Sequence, residues 1–398
     1  MELDSIDPPS AEGIFESLRY GIPPQGYVRH FTVGRDEELE RLRASLGNAN
    51  EQKGGALLVT ANYGAGKSHL LQVVREMSLE AGYAVSLVVV NAQGGVRFNQ
   101  IDSIMGAICD RIEVPGEDTA GVGGLFEAFK NRRTETLAST EITSRGTWDY
   151  SDYLASAPMY IALRAWVNSA SGPVHDRITD WLRSPRDYRS QRKLLYQNLV
   201  AGLRTKFRDP RSDWQFYSDE AFLFHTGGHR NAWAALADLD VIARASGLNG
   251  LILLFDEFED VIQNLGRRDY EQEAMLNLFR FFAGDRFPNM AYFAVTPDFV
   301  RKCKTALLLR GVLDFDYHRF EQLPAFAMSQ ITAVEFREFA SRARKVHGIA
   351  FEWDPTASLP DAELADLVSD LWSSQAPEKV RLAIQSLVEV LDDRLDDH

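Results

Sequence analysis

A glycine-rich turn that ends in lysine and serine lies between an apolar run and a helical pattern. The apolar run at residues 56–60 has the length of a strand, and apolar residues recur at helical spacing over residues 70–81. Glycines let a backbone fold closely enough for its N–H groups to surround phosphate oxygens, and the N-terminus of the next helix attracts anions. Lysine at this position reaches the β- and γ-phosphates of a nucleotide, and serine coordinates Mg²⁺. The residues expected to hold the nucleotide here are Asn62, Tyr63, Gly64, Ala65, Gly66, Lys67, Ser68 and His69.

The turn follows the spacing G-x-x-x-x-G-K-[ST] of a phosphate-binding P-loop, with one departure. Ala61 stands where the first glycine is expected. A methyl group is tolerated there when the backbone φ angle is negative. The strand before the turn and the helix after it favour a P-loop over a chance glycine-rich turn. We therefore predict that the protein binds a nucleotide, with Lys67 on the β- and γ-phosphates and Ser68 on the Mg²⁺ ion.

Two adjacent carboxylates follow the apolar run of residues 251–255. Ligands of α/β proteins bind at the carboxyl ends of the strands, so this pair is well placed for chemistry. We predict that Asp256 holds the Mg²⁺ ion and that Glu257 is the general base that polarises the attacking water. Such a pair favours hydrolysis over binding alone. For Glu259 and Asp260 the alternative to a chemical role is a structural one. They would form the first turn of a helix, where acidic side chains interact favourably with the helix dipole.

Thr296 ends a further apolar run, residues 290–295. If this strand lies beside the strand that carries Asp256, the threonine hydroxyl can bind the attacking water or the γ-phosphate. The alternative is a threonine that only begins a turn with Pro297.

The surrounding elements predict an α/β fold with a parallel sheet. Residues 85–90 form an apolar, β-branched run, which is typical of a strand covered on both faces. Lys67 and Asp256 are 189 positions apart, whereas two intervening βαβ units need only about 60 residues. The excess coincides with residues 114–224, and we interpret that region as a mainly helical insertion. After Thr332 the pattern is wholly helical.

The charge of the chain is unevenly distributed. The formal net charge of −14 excludes a protein that coats nucleic acid with its whole surface. Residues 164–213 nevertheless contain 11 Lys/Arg and 5 Asp/Glu, and they form a candidate contact face for double-stranded DNA. The alternative is a set of solvated charges on exposed helices. Residues 352–398 carry 12 acidic and 3 basic side chains, which makes that end strongly acidic.

Cysteine content and hydropathy indicate a cytoplasmic protein. Cys109 and Cys303 are too few for a disulfide framework or a cysteine-rich zinc site. No stretch approaches about 18 consecutive apolar residues, so we expect no membrane span. The first residues are acidic and lack the apolar core of a signal peptide.

Further stretches fall in the order of a known group of ATPases. Gly34 and Arg35 precede the P-loop, and the Asp-Glu strand and the Thr296 strand follow it. This order resembles the AAA+-like, Orc/Cdc6-related P-loop ATPases. More narrowly, with residues 14–23 and 377–391 included, the chain resembles the ATP-binding proteins of BREX phage-defence systems.

The resemblance implies roles for residues outside the P-loop. Gly34 and Arg35 match the segment that packs near adenine. Asn91 stands where AAA+ proteins often carry a polar residue that restrains the catalytic glutamate, although a simple strand-end asparagine is the alternative. Arg310 matches an arginine finger that reaches the γ-phosphate of a neighbouring copy, which implies a homo-oligomer. The alternative is a solvated arginine in a basic helix.

The resemblance also implies an AAA+-like P-loop NTPase core, a large helical insertion and a C-terminal helical lid. In the lid, the usual Pro-Arg pair, whose arginine senses the nucleotide, is replaced by Pro377 and Glu378, and Lys379 or Arg381 could substitute. The expected divisions are 1–46 (N-terminal leader and linker helix), 47–113 (P-loop core, first part), 114–224 (mainly helical insertion), 225–330 (P-loop core, second part, with the Asp-Glu strand) and 331–398 (helical lid).

Two functions from different classes fit these expectations. The first is Mg²⁺-dependent ATP binding and hydrolysis that couples nucleotide state to action on DNA or on protein partners in a phage-defence system. The second is a STAND-type signalling switch, in which slow ATP turnover controls assembly with protein partners and no DNA is bound. A functional Arg310 acting between copies favours the first.

Overall fold

The computed structural model describes residues 3–50, 54–90, 96–139, 154–170, 172–200, 222–224, 226–262, 265, 267–373 and 378–397. None of the helices in these ranges combines the length and the apolar character that crossing a bilayer requires.

A six-stranded, mostly parallel sheet forms the centre of a mixed α/β fold. The strands are β1 (Gly55–Thr60), β2 (Ala84–Val89), β3 (Ile112–Glu113), β4 (Leu251–Asp256), β5 (Met290–Val295) and β6 (Ala325–Ala327). Their order across the sheet is β3-β2-β4-β5-β1-β6, and only the short edge pair of β2 with β3 is antiparallel. The expected parallel sheet is therefore observed.

Strand β5 lies between the strand that leads into the P-loop and the strand that carries Asp256. Leu57 of β1 and Leu254 of β4 both pair with Tyr292 of β5, in parallel registers. Strand β5, which Thr296 follows, thus lies beside β4, which carries Asp256. The predicted role of Thr296 depends on this arrangement. Every residue of β4 and β5 is buried, because helices cover both faces of the sheet.

Helices precede and connect the strands, and most of them pack around the sheet. In chain order they are α1 (Pro8–Arg19), α2 (Asp36–Asn50), α3 (Lys67–Glu80), α4 (Ile101–Asp110), α5 (Val122–Ser139), α6 (Ala157–Asn168), α7 (Pro173–Arg183), α8 (Arg192–Leu195), α9 (Thr226–Ala245), α10 (Arg268–Ala283) and α11 (Phe299–Leu309). On one face, stacked Phe255 and Phe293, with ring centroids 4.7 Å apart, lie in a large aromatic core. Cys109 and Cys303 are both buried in that core, and burial raises the pKa of each thiol.

The described helices of residues 122–200 share this core. Trp181 of α7 and Met159 of α6 lie in the same hydrophobic cluster as the sheet residues. Asp238 of α9 fixes the start of α6, since its carboxylate accepts the backbone N–H groups of Ala155 and Ser156 at 2.8 Å each. Burial raises the pKa of Asp238 to about 7. The described helices of the segment expected to be an insertion are therefore packed against the sheet core.

The C-terminal helices form a second hydrophobic cluster, and helix α1 belongs to it. These helices are α12 (Ala333–Ala350), α13 (Pro355–Ser358), α14 (Asp361–Trp372) and α15 (Lys379–Asp396). Phe15 of α1 contacts His347 of α12 edge to face, and Arg19 pairs with Asp392 of α15 at 2.8 Å. Thr332 and Glu335 form a capping box that fixes where α12 begins. An N-terminal helix thus completes the C-terminal helical unit.

Candidate functional site

A cavity of about 370 Å³ opens between the carboxyl edge of the sheet and the C-terminal helices. Its charged and polar lining includes Arg35, Lys67, Ser68, Asp256, Glu257, Glu259, Glu378 and Arg381. Its apolar lining includes Ile22, Pro23, Val33, Phe336, Phe339 and Ile384. A pocket with both kinds of lining suits a ligand that joins anionic groups to a flat apolar ring.

The glycine-rich turn adopts a geometry that requires glycine. Gly64 and Gly66 have φ angles of 71° and 91°, and Gly66 directly precedes the first residue of helix α3. No side chain caps this helix N-terminus, so its backbone N–H groups remain available to an anion. Among the described non-glycine residues only Glu257 and Glu352 have positive φ, and Ala61 therefore adopts an ordinary backbone conformation.

Lys67 lies in the cavity lining and is held by several contacts. Its Nζ atom lies 3.3 Å from the Ala61 carbonyl oxygen, 3.4 Å from that of Asn62 and 3.4 Å from Oε1 of Glu259. The Tyr63 ring centroid lies 5.7 Å from the same ammonium group. The ammonium group is thus positioned by the turn that it belongs to and by one carboxylate.

Asp256 and Glu257 enter the cavity at the end of β4. Asp256 is buried, and its Oδ1 accepts the backbone N–H of Glu257 at 2.9 Å. Glu257 has a φ angle of 53°, a strained conformation for a residue with a side chain, and such strain is concentrated at functional sites. Burial raises the pKa of the Glu257 carboxyl above its ordinary value, and the carboxylates of Asp256, Asp260 and Glu259 raise it further. A raised carboxyl pKa suits a general base.

The oxygen donors in the cavity fit a magnesium ion that is completed by a ligand. Ser68 and Asp256 both line it, and a hydroxyl with a carboxylate is a donor set that Mg²⁺ accepts. In the described part of the chain there is no group of three or more His, Cys, Asp or Glu side chains placed to hold a metal alone. Mg²⁺ usually binds through one or two carboxylates together with phosphates and water.

Arg35 is buried beneath the P-loop and joins three parts of the chain. Its Nη2 donates to the Ala65 carbonyl at 3.3 Å, while Nη1 donates to the Ser329 carbonyl at 2.5 Å and to Glu38 Oε1 at 3.1 Å. A planar guanidinium can satisfy such a set of acceptors because its donors form a rigid fork. Arg35 therefore connects the P-loop to the segment that leads into the C-terminal helices.

Gly34 and His69 flank this arginine. Gly34 has a φ angle of 60°, and an added Cβ atom would lie 2.2 Å from the Glu335 carboxyl group, so glycine is required. The Nε2 atom of His69 lies 2.9 Å from the Thr32 hydroxyl. Burial, with the positive charge of Arg35, lowers the pKa of His69 to about 4, which keeps the ring neutral at pH 7.

Thr296 and Arg310 bind protein groups outside the cavity lining. The Thr296 hydroxyl donates to Asp298 Oδ1 at 2.7 Å. Arg310 Nε lies 3.4 Å from Oε1 of the buried Glu271, and about half of its side chain (49%) is exposed. Asn91, the residue expected to restrain the glutamate, lies outside the described residues.

The structure distinguishes the two cations considered for the lid. Arg381 lines the cavity, and its Nη2 donates to the Tyr20 carbonyl at 3.3 Å. Lys379 instead lies 4.3 Å from the centroid of the Trp372 ring. Pro377 lies outside the described residues, whereas Glu378 lines the cavity.

Sequence reasoning did not identify Glu259 or the apolar wall of the cavity as parts of the site. Glu259 follows Asp256 by three residues in the Phe258–Ile262 3₁₀ turn, and that spacing is the signal that could have indicated it. The wall combines Ile22 and Pro23 with Phe336 and Phe339, and no local pattern connects positions so far apart.

The basic stretch of residues 164–213 is partly neutralised where the structure describes it. Arg186 pairs with the buried Asp102 of α4 at 2.8 Å, and Arg183 pairs with Asp110 of the same helix. Residues 201–213 lie outside the described residues.

A family model described as "BREX system ATP-binding protein BrxC/D" matches residues 6–148 and 226–398. The match covers most of the chain, and the interval between its two parts falls in the region expected to be an insertion. No curated protein and no solved structure matches the chain.

Proposed function

Because the chain belongs to the BREX system ATP-binding protein BrxC/D family, we propose that it is an AAA+-like P-loop ATPase that hydrolyses ATP with Mg²⁺. Family membership makes it an ATP-binding component of a phage-defence system. The observation that carries hydrolysis is the convergence of Lys67, Ser68, Asp256 and Glu257 on one cavity, with Glu257 strained and its carboxyl pKa raised.

We propose that the nucleotide lies along the cavity with its phosphates on the P-loop. Backbone N–H groups at the start of α3 and the Lys67 ammonium bind the phosphates. The purine ring contacts the apolar part of the lining, to which Ile22 and Phe336 belong. Arg381, which lines the cavity from helix α15, senses the nucleotide in place of the missing Pro-Arg arginine. The helices from residue 331 onward, with α1, thus act as the lid.

In the proposed reaction, Glu257 accepts a proton from the attacking water as the water oxygen bonds to the γ-phosphorus. The bond from the γ-phosphorus to the oxygen that bridges it to the β-phosphate breaks, and ADP and inorganic phosphate are the products. Ser68 and Asp256 would hold the Mg²⁺ ion, whose charge would stabilise the phosphate oxygens. Thr296 follows strand β5, which pairs with the strand that ends in Asp256. Its hydroxyl gives up its hydrogen bond to Asp298 and orients the attacking water instead.

Calorimetric titration with ATP tests the binding step directly. We expect wild type to bind ATP and Lys67→Met to bind it about tenfold more weakly, since one charge-assisted contact to phosphate is lost. Methionine keeps much of the lysine volume, so the cavity wall is retained. Equal affinities would show that Lys67 does not contact the phosphates, and no binding to wild type would refute the proposed function.

We further propose that Arg310 acts on the nucleotide of a neighbouring copy. Leu308, Leu309 and Leu313 around it are exposed, with Leu309 83% exposed, which is unusual for large apolar side chains and fits a contact surface. We expect Arg310→Ala to lower the hydrolysis rate at least tenfold in an assembled sample, whereas the exposed Arg286→Ala leaves it unchanged. Steady-state hydrolysis and mass in solution with ATP are the measurements. A monomer whose rate Arg310→Ala does not change would favour the slow signalling switch.

We propose protein partners, rather than DNA, as the recipients of the nucleotide state. The ion pairs of Arg183 and Arg186 leave those two side chains less available to phosphates. A hydrolysis rate that rises when double-stranded DNA is added at low salt would overturn this preference.

A further inference from the structure

Glu259 is the one carboxylate of the cavity that contacts the P-loop lysine. Its Oε1 lies 3.4 Å from Lys67 Nζ, and the two side chains are 12% and 8% exposed. Its other oxygen, Oε2, is buried and has no hydrogen-bond partner. A carboxylate with a partner at only one of its two oxygens is held less firmly than one whose oxygens are all hydrogen-bonded.

Three oxygens surround the Lys67 ammonium group. It donates hydrogen bonds to the carbonyl oxygens of Ala61 and Asn62 at 3.3 and 3.4 Å, and Oε1 of Glu259 lies 3.4 Å away as the partner of an ion pair. The two carbonyls are fixed in the backbone of the turn, whereas the carboxylate is at the end of a rotatable side chain. Phosphate can therefore reach Lys67 most easily by displacing Glu259.

Aromatic packing holds the backbone around Glu259 in place. Phe258, the preceding residue, is fully buried, and its ring lies 4.7 Å from the centroids of both Phe98 and Phe293. The aromatic core thus anchors the Phe258–Ile262 turn, and a side-chain rotation of Glu259 is enough to free Lys67.

We propose that Glu259 is a positioning residue that competes with nucleotide phosphates for Lys67. Without nucleotide it keeps the lysine side chain in the site and balances its buried charge. On binding, the phosphates replace it, so that part of the binding free energy is used to separate the pair. This inference rests on the proposed function, because it assumes that the cavity binds a nucleotide.

Titration with ADP in the absence of Mg²⁺ tests the proposal without hydrolysis. We expect Glu259→Gln to bind ADP about tenfold more tightly than wild type, since the competing charge-assisted contact is lost. Glu378→Gln is the matched control, because it removes the same charge from the lining of the same cavity, and no ion pair joins Glu378 to Lys67 among the described residues. Its affinity should change much less.

The double variant separates competition from simple charge repulsion. If Glu259 acts through Lys67, then Glu259→Gln should give no gain in affinity in the Lys67→Met background. A gain of the same size in that background would overturn the proposal.

The two proposals can fail separately. Unchanged ADP affinity of Glu259→Gln, measured beside a wild type that binds ADP, refutes the competition alone. Failure of wild type to bind either ADP or ATP refutes the proposed function itself.

Discussion

Replacement of Glu257 by glutamine is expected to lower the ATP hydrolysis rate by about 100-fold or more while ATP still binds. Glutamine keeps the size of the side chain but cannot accept the proton of the attacking water, and general-base contributions are about 10²–10⁴ in rate. The proposed contacts of Lys67 and of the backbone N–H groups at the start of α3 with the phosphates do not depend on this carboxylate. Single-turnover hydrolysis and equilibrium binding of ATP, measured on the same samples, separate the two effects.

The pH dependence of the wild-type rate provides an internal check. A general base works only when deprotonated, and burial with three neighbouring carboxylates raises the pKa of Glu257. The rate should therefore fall on acidification, and the fall should begin at a higher pH than for an ordinary glutamate. Glu257→Gln should lose this acidic limb.

Glu352 offers a control with the same backbone conformation. It is the other described non-glycine residue with a φ angle of 53°, and it lies in the C-terminal helical unit, away from the cavity lining. Glu352→Gln should leave hydrolysis unchanged. A Glu257→Gln protein that hydrolyses ATP at the wild-type rate would remove Glu257 from the mechanism.

The second large effect is expected in stability, from Arg35→Ala. The substitution removes donors from the Ala65 and Ser329 carbonyls and leaves the carboxylate of Glu38 buried without its cation. Breaking a buried pair by removing one partner typically lowers the free energy of unfolding by about 3–5 kcal/mol. Urea unfolding without nucleotide should therefore show a clearly lower midpoint.

Two variants test whether the geometry of Arg35 matters. Arg35→Lys keeps the charge but loses the fork, and we expect it to recover only part of the lost stability. Arg43→Ala, on the exposed side of the same helix α2, should change the free energy of unfolding by less than about 0.5 kcal/mol. If Arg35→Ala unfolds at the wild-type midpoint, the buried hydrogen bonds of Arg35 contribute nothing measurable.

Local patterns in the sequence predicted the part of the site that depends on neighbouring residues. The glycine spacing before Lys67 is needed for φ angles that only glycine adopts easily, and the Asp256-Glu257 pair directly follows an apolar strand. The parallel sheet was predicted from the same kind of pattern, whereas the position of the Thr296 strand beside the Asp256 strand was a condition of its interpretation and was shown by the structure.

Contacts between distant segments could not be predicted in this way. The choice between Lys379 and Arg381 depends on where Trp372 and the cavity lie relative to helix α15. The pairing of Glu259 with Lys67 depends on where strands β1 and β4 lie in the sheet, and neither segment alone predicts the strand order. Such contacts arise from tertiary packing, which overrides local preference.

The position of helix α1 has a consequence for protein synthesis. Its buried residues Ile14, Phe15 and Leu18 are covered by helices α12 and α15, and Arg19 pairs with a residue 373 positions later. During translation, at about 5–20 residues per second, this apolar face leaves the ribosome long before its partners exist. The sheet core can fold first, whereas the helical lid can be completed only when residues 379–396 emerge. This apolar segment therefore remains without its packing partners for tens of seconds while the rest of the chain is synthesised.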